Sequence, residues 1–356
     1  VTRLPAYTKT PWQHTYSEII DVRSEEEYQK DCIPGAINLP VLNDRERKQV
    51  GTIYKQVSPF EARKIGSALI SKNISCHLES HFACKDKSYQ PLIYCWRGGQ
   101  RSGSLALVLS QIGWKATVVE GGYKTYRSYV REQLESLPKQ LTYKVVCGLT
   151  GTGKTLLLER MKQRKWQVLD LEALAHHRGS LLGQEWTDLP EQQPTQKAFE
   201  SRLLQSLKQF NPDRIVWLES ESNKIGQVYL PKVLWDKMQE SACIEICLPI
   251  EKRIDLLLQQ YPYLTENPEF LKNKLIRLKS RYGGEKIKYW CHLVDTKEWR
   301  FLIQDLLEVH YDPAYSRSMQ YNFKPAEQSF SLTDLSDASI NAVLDKITKD
   351  LPMVRL

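Results

Sequence analysis

The run GLTGTGKT at residues 148–155 constrains this chain more than any other feature. It fits G-x-x-x-x-G-K-[ST] through Gly148, Gly153, Lys154 and Thr155, with Gly151 as a further glycine inside the loop. Glycines let successive backbone N–H groups converge on a phosphate, and a helix starting at the lysine adds partial positive charge. Lys154 supplies a mobile cation for a terminal phosphate, and Thr155 a hydroxyl for Mg2+. The apolar run Tyr143–Leu149 predicts a buried strand before the loop, and Lys154–Met161 a helix after it. Strand, glycine loop and helix in that order demand an α/β fold with a parallel sheet. Further strands are predicted at Gln167–Leu171, Ile215–Leu218 and Ile244–Leu248, with mostly helical chain from about Pro249 onward.

Mg2+ at such a loop needs an acidic partner. Asp170 in VLDLE and Glu219 in IVWLES each end an apolar run, and either could serve; the alternative is a solvated strand-end carboxylate. Arg253, opening a helix after Leu248-Pro249, reads either as a phosphate clamp or as an ordinary surface residue. Arg178, following His176-His177, is a candidate anion contact.

A second loop, CWRGGQRS at 95–102, lies between the apolar run Leu92-Ile93-Tyr94 and an apolar helix predicted over Ser102–Ile112. This places Cys95 at the end of a strand on a loop that opens a helix. Gly98 and Gly99 let the loop curl around an anion, and Arg97 and Arg101 add nearby cations. Such surroundings depress a thiol below its free value of about 8.5 and make a thiolate nucleophile. Two chemistries stay open. The spacing C-x5-R suits phosphatase chemistry, although no general acid is evident nearby. The other is chalcogen transfer, in which the thiolate takes up sulfur or selenium and hands it on; a loop wide enough for phosphate also admits selenophosphate.

The 356 residues suffice for two domains, and a join near Leu137–Thr142 divides them into 1–138 and 139–356. The first block alternates strands (Ile19–Val22, Leu92–Tyr94, Ala116–Val119) with helices (from SEEEYQK, Pro59–Lys72, Tyr123–Leu134), and so also predicts a parallel sheet. Ser75–Gln90 reads as a polar surface loop. Its Cys76, His77, His81 and Cys84 lack a standard zinc spacing, so no structural metal is expected. No apolar run reaches the roughly 20 residues of a membrane span, and VTRLPAYTKT lacks a signal-peptide core, which predicts a cytoplasmic chain. The net charge is +8, and Lys272–Lys288 holds seven basic residues against the single acid Glu285.

Several pieces of the first block resemble a rhodanese domain: IIDVR at 19–23, CIPGAINLP at 32–40, CWRGGQRS, and EGGYKTY at 120–126. A His often stands before the I-P-G turn in such sequences, where this chain has Asp31-Cys32. Joined to GLTGTGKT, DLEALAHHRGSLLG at 170–183, VWLESES at 216–222 and HYDPAY at 310–315, the ordered set is similar to the tRNA 2-selenouridine synthase family over nearly the whole chain. The resemblance implies a rhodanese-like domain followed by a P-loop NTPase-like domain with a helical C-terminal region. It implies a transferase that replaces the sulfur of wobble 2-thiouridine in tRNA by selenium from selenophosphate. Geranyl diphosphate would supply an S-geranyl intermediate; no tightly bound cofactor is expected, and Mg2+ is a candidate ion at the lysine loop. Cys95 would be the selenium-handling cysteine, and the loop around Lys154 would hold a diphosphate or a nucleotide. Lys272, Lys274, Arg277, Lys279 and Arg281, on a helix predicted over Leu271–Tyr282, either track tRNA phosphates or form a solvated helix face. An alternative function is an ATP-dependent kinase or NTPase fused to a sulfurtransferase or phosphatase-like domain. His310, Tyr311 and Asp312 receive no role from the sequence, beyond a helix start at Asp312-Pro313.

Overall fold

The computed structural model describes residues 4–177, 193–260 and 266–350. The chain divides into two compact units, Val1–Gln133 and Leu134–Leu356. That division falls inside the helix Tyr123–Ser136, which is why it precedes the join read from the sequence. Both units are α/β, each built on a parallel sheet, as the sequence predicts.

In the first unit β1 (Ala6–Thr8), β2 (Glu18–Asp21), β3 (Ala36–Asn38), β4 (Pro91–Tyr94) and β5 (Thr117–Val119) pair in the order β1-β5-β4-β2-β3. Every pair is parallel. All four residues of the central β4 are buried, as expected of a parallel strand covered on both faces. Helix α1 (Glu25–Lys30) starts with a Ser24–Glu27 capping box. Helices α2 (Asp44–Gln56) and α3 (Pro59–Ser80) follow, then α4 (Gln100–Ile112) and α5 (Tyr123–Ser136). Leu105, Ala106 and Leu109 of α4 pack into one core with Ile20, Ile93 and Val118. The loop expected at Ser75–Gln90 is corrected in part, because α3 runs on to Ser80. His77 Nε2 meets the Pro40 carbonyl at 2.9 Å and His81 Nε2 meets Glu18 Oε2 at 2.6 Å, so both rings pin the helix end to the sheet.

A buried charge network lies under this sheet edge. Arg23, 1% exposed, is paired with Asp21 at 2.6 Å and donates to the Asp31 carbonyl at 2.7 Å. Its guanidinium lies 4.0 Å from the Tyr123 ring centre, and the Tyr123 hydroxyl donates to Asp31 Oδ2 at 2.6 Å. Charges this deep persist only when paired and hydrogen-bonded. Here the pairing also fixes Tyr123, whose N–H donates to the Cys95 carbonyl at 2.8 Å.

In the second unit β6 (Thr142–Cys147), β7 (Gln167–Val168), β8 (Ile215–Glu219), β11 (Ala242–Cys247) and β12 (Ala326–Ser331) form a parallel sheet in the order β12-β11-β6-β8-β7. A short hairpin, β9 (Lys224–Ile225) and β10 (Val228–Tyr229), stands apart. Helix α6 (Lys154–Gln163) follows the glycine loop, with α7 (Leu171–Ala175), α8 (Gln196–Lys208), α9 (Lys232–Glu240) and α10 (Ile250–Gln260) beyond it. After these come α11 (Pro268–Ile276), α12 (Lys279–Asp295), α13 (Trp299–Leu306), a π-helical turn Leu307–Tyr311, α14 (Asp312–Asn322) and α15 (Asp337–Asp350).

Two expectations change here. The strand predicted over Gln167–Leu171 stops at Val168, because the Asp170 side chain accepts from Ala173 N–H and starts α7. The helix predicted over Leu271–Tyr282 is two helices separated at Arg277-Leu278, and Gly283 (φ +80°) breaks the second again. The segment beyond Pro249 is mostly helix, as the sequence predicts; β12 adds an edge strand, and only Phe330 of its six residues is buried, so no apolar alternation announces it. No helix among the described residues is long and apolar enough to cross a membrane.

Candidate functional site

Each unit carries one candidate site, and each is built around a loop that leaves a parallel strand. In the first, β4 delivers Cys95 to the foot of the loop, where it is 3% exposed. The Ser102 hydroxyl donates to Cys95 Sγ at 3.2 Å. Beyond the cysteine, the N–H groups of Arg97, Gly98 and Gly99 have no backbone acceptor among the described residues, and α4 begins at Gln100. These donors and the helix terminus make a concave, electropositive loop. The turn Glu120–Tyr123 clasps it from behind. A Cβ on Gly122 (φ +61°) would stand 2.3 Å from the Cys95 carbonyl and 2.4 Å from Gly98 N, so only glycine fits there. Trp96 stacks on Tyr123 with ring centres 5.4 Å apart.

The two arginines part company. Arg97 is exposed, with no ion pair among the described residues. Arg101 is corrected: its guanidinium pairs with Glu27 of α1 at 2.7 Å, and Glu27 also takes Arg47 at 2.8 Å. Burial alone would raise the Glu27 carboxyl, but the hydrogen bond and charge of Arg101, with Arg47, hold it below its usual value. Arg101 therefore braces the base of α4 against α1 and is not a free cation beside the sulfur.

In the second unit the loop 148–153 joins β6 to α6. A Cβ on Gly148 (φ +149°) would meet the Ile246 carbonyl at 2.4 Å, so the loop is seated tightly against β11. Lys154 Nζ donates to the carbonyls of Gly148 at 2.8 Å and Leu149 at 3.3 Å. The Thr155 hydroxyl donates to Glu219 Oε1 at 2.7 Å. Of the acidic candidates, Glu219 thus meets Thr155, whereas Asp170 is committed to capping α7 at 2.9 Å. Arg253 is also corrected. It is 3% exposed, with Nε on the Thr150 carbonyl at 2.8 Å and both terminal nitrogens on Asp312 at 2.9 and 2.5 Å. Its guanidinium is held by Asp312 and supports the loop at Thr150. Arg178 lies outside the described residues.

Glu172 and Glu221 were missed by sequence reasoning. With Glu219 they place carboxylate oxygens within 4.8 Å of one another. Hard oxygen donors of this kind, with the Thr155 hydroxyl, fit Mg2+ and would let it offset the charge of a bound phosphate. Burial, reinforced by Glu219 and Glu221, pushes Glu172 up to about 9. Burial and Glu219 push Glu221 up to about 7. A folded value above the unfolded one means the native state holds the extra proton, so stability falls as pH rises from about 4.5 to about 9. Glu172→Gln removes that cost. Its thermal midpoint, measured without metal, is expected to exceed wild type at pH 8.5 by about 2–4 °C per kcal/mol relieved, and to match it at pH 5. An equal change at both pH values would contradict a buried, ionisation-penalised carboxyl.

The five basic residues proposed for tRNA are not equivalent. Lys272 is paired with Glu269 at 3.0 Å and with Asp295, and Lys274 is buried with its ammonium 5.1 Å from the Phe270 ring centre. Burial, then the charge of Arg277, lowers the Lys274 ammonium. Arg277, Lys279 and Arg281 are exposed.

The fold and the two loops define a class: a rhodanese-like unit bearing a cysteine loop, followed by a P-loop unit. Family models agree with this division. A rhodanese-like domain matches residues 6–129, and the tRNA 2-selenouridine synthase AAA domain matches residues 141–342. The chain is 32% identical over 330 residues to the tRNA 2-selenouridine synthase of Sulfurovum sp. (strain NBC37-1), covering 85% of this chain and 89% of that one. It is 35% identical over 347 residues to the protein of the same name from Nitrosomonas europaea, with the same coverage of each. This chain belongs to the tRNA 2-selenouridine synthase family.

Proposed function

We propose that this chain modifies the wobble uridine of tRNA, exchanging the sulfur of 2-thiouridine for selenium from selenophosphate through an S-geranyl intermediate. The observation that carries the reading is the pairing, in one polypeptide, of a cysteine loop with free backbone donors and a lysine loop with hard oxygen groups beside it. Relatives bearing the name tRNA 2-selenouridine synthase align along both units.

In the first step the thiocarbonyl sulfur donates an electron pair to C1 of geranyl diphosphate. The C1–O bond breaks, diphosphate leaves with the electrons of that bond, and the N3 proton of the base passes to solvent. The developing diphosphate charge falls to Lys154 and the amides of the glycine loop, which are worth most where water is excluded. The alkylated sulfur is the better leaving group. In the second step the selenium of selenophosphate, held at the Cys95 loop, bonds to C2 of the base as the C2–S bond breaks and geranyl thiol departs with a proton; water then cleaves the Se–P bond, phosphate leaves, and the C2 selenocarbonyl remains. Of the five basic residues considered for tRNA, Arg277, Lys279 and Arg281 are exposed and would meet its phosphates.

The test is to incubate the full chain with 2-thiouridine tRNA, geranyl diphosphate and selenophosphate, and to weigh the nucleosides. 2-Selenouridine is expected, with the S-geranyl nucleoside when selenophosphate is omitted. Rapid nucleotide hydrolysis with neither product would favour an NTPase joined to a sulfurtransferase.

A further inference from the structure

One side chain, Tyr315, meets all three parts of the phosphate site. Its hydroxyl accepts from the Gly148 N–H at 2.8 Å and shares a hydrogen bond with Ser220 Oγ at 2.6 Å. The Lys154 ammonium lies 5.4 Å from its ring centre. Gly148 opens the glycine loop and supplies the carbonyl that holds Lys154. Ser220 directly follows Glu219, the partner of Thr155. Burial raises the Tyr315 phenol far above its ordinary value, so the hydroxyl stays protonated and can accept from Gly148 while donating to Ser220.

Three residues earlier, Asp312 holds Arg253 through two hydrogen bonds, and Arg253 holds the Thr150 carbonyl at 2.8 Å. Helix α14 therefore grips the loop at two points, Gly148 and Thr150. It emerges from the π-helical turn Leu307–Tyr311, a form that is rare and recurs at functional sites. His310 in that turn is bonded through Nδ1 to the Tyr282 hydroxyl at 2.8 Å. The HYDPAY segment, without a role at the level of sequence, is thus the back support of a loop more than 150 residues away in the chain.

We infer that Tyr315, seconded by Asp312 acting through Arg253, is a positioning residue that shapes the glycine loop for a diphosphate group and sets its affinity. This rests on the diphosphate reading of the loop given above. A loop whose amides must converge on one anion loses affinity when its first residue can shift, because part of the binding energy then goes into ordering it.

The test measures binding of inorganic pyrophosphate with Mg2+ to the full chain by calorimetry, alongside steady-state kinetics. Tyr315→Phe keeps the ring and removes the hydroxyl. It is expected to weaken pyrophosphate about tenfold and raise KM for geranyl diphosphate by about the same factor, with KM for tRNA within about twofold of wild type. A folded Tyr315→Phe with wild-type pyrophosphate affinity overturns the inference and leaves the diphosphate reading standing. Wild-type protein that binds no pyrophosphate overturns both. Should Tyr315→Phe fail to fold, Ser220→Ala and Asp312→Asn replace it. Each is expected to weaken pyrophosphate about threefold, and unchanged affinity in both overturns the inference.

Discussion

Cys95→Ser is expected to lower 2-selenouridine formation by about a thousandfold or more, while pyrophosphate binding in the second unit stays at its wild-type value. Among the described residues the sulfur has one side-chain donor, Ser102, and sits at the foot of a loop in which the N–H groups of Arg97, Gly98 and Gly99 have no backbone acceptor. A serine hydroxyl would fill the same space, but it is a far weaker nucleophile than a thiol. The S-geranyl nucleoside is expected to accumulate in this variant, because in the proposed mechanism alkylation calls on the lysine loop and not on the thiol. Nucleoside masses from a time course decide it. Selenium incorporation at the wild-type rate would remove Cys95 from the chemistry altogether.

Lys154→Ala is expected to produce the opposite pattern. Without the ammonium, the diphosphate leaving group loses its principal cation, and kcat/KM for geranyl diphosphate should fall by about 100- to 1000-fold. Pyrophosphate binding should weaken in step, and no S-geranyl nucleoside should appear. The substitution also releases the carbonyls of Gly148 and Leu149, which the ammonium now holds, so circular dichroism and the thermal midpoint should accompany the kinetics. A variant that is folded, binds pyrophosphate normally and still geranylates would show that the loop holds something other than the reacting diphosphate. Together the two substitutions separate alkylation from selenation, since each blocks a different step if the steps belong to different loops.

Much of the chemistry was legible because it is contiguous. The loops 95–102 and 148–155 each pack nucleophile or cation, glycines and a helix start into eight residues. The central strands β4, β6 and β8 were legible for a related reason: buried parallel strands must be continuous apolar runs. Where burial is one-sided or absent the signal fades, as with β12, whose residues are mostly exposed.

Charged side chains were read least well, because their roles depend on what folding brings opposite them. From its surroundings in the chain Arg101 belongs to the sulfur, yet Glu27 claims it across 74 positions. Arg253 looks like a clamp until Asp312, 59 residues on, takes both its terminal nitrogens. Glu172 and Glu221 lie inside DLEALAHHRGSLLG and VWLESES, but only burial beside Glu219 raises their carboxyls and groups the three. Local order along the chain thus determined the two anion-binding loops and the sheets that present them. Tertiary structure alone decided which charges are free, which are neutralised and which residues hold the loops in shape, because those properties arise from desolvation and long-range pairing, which no stretch of sequence contains.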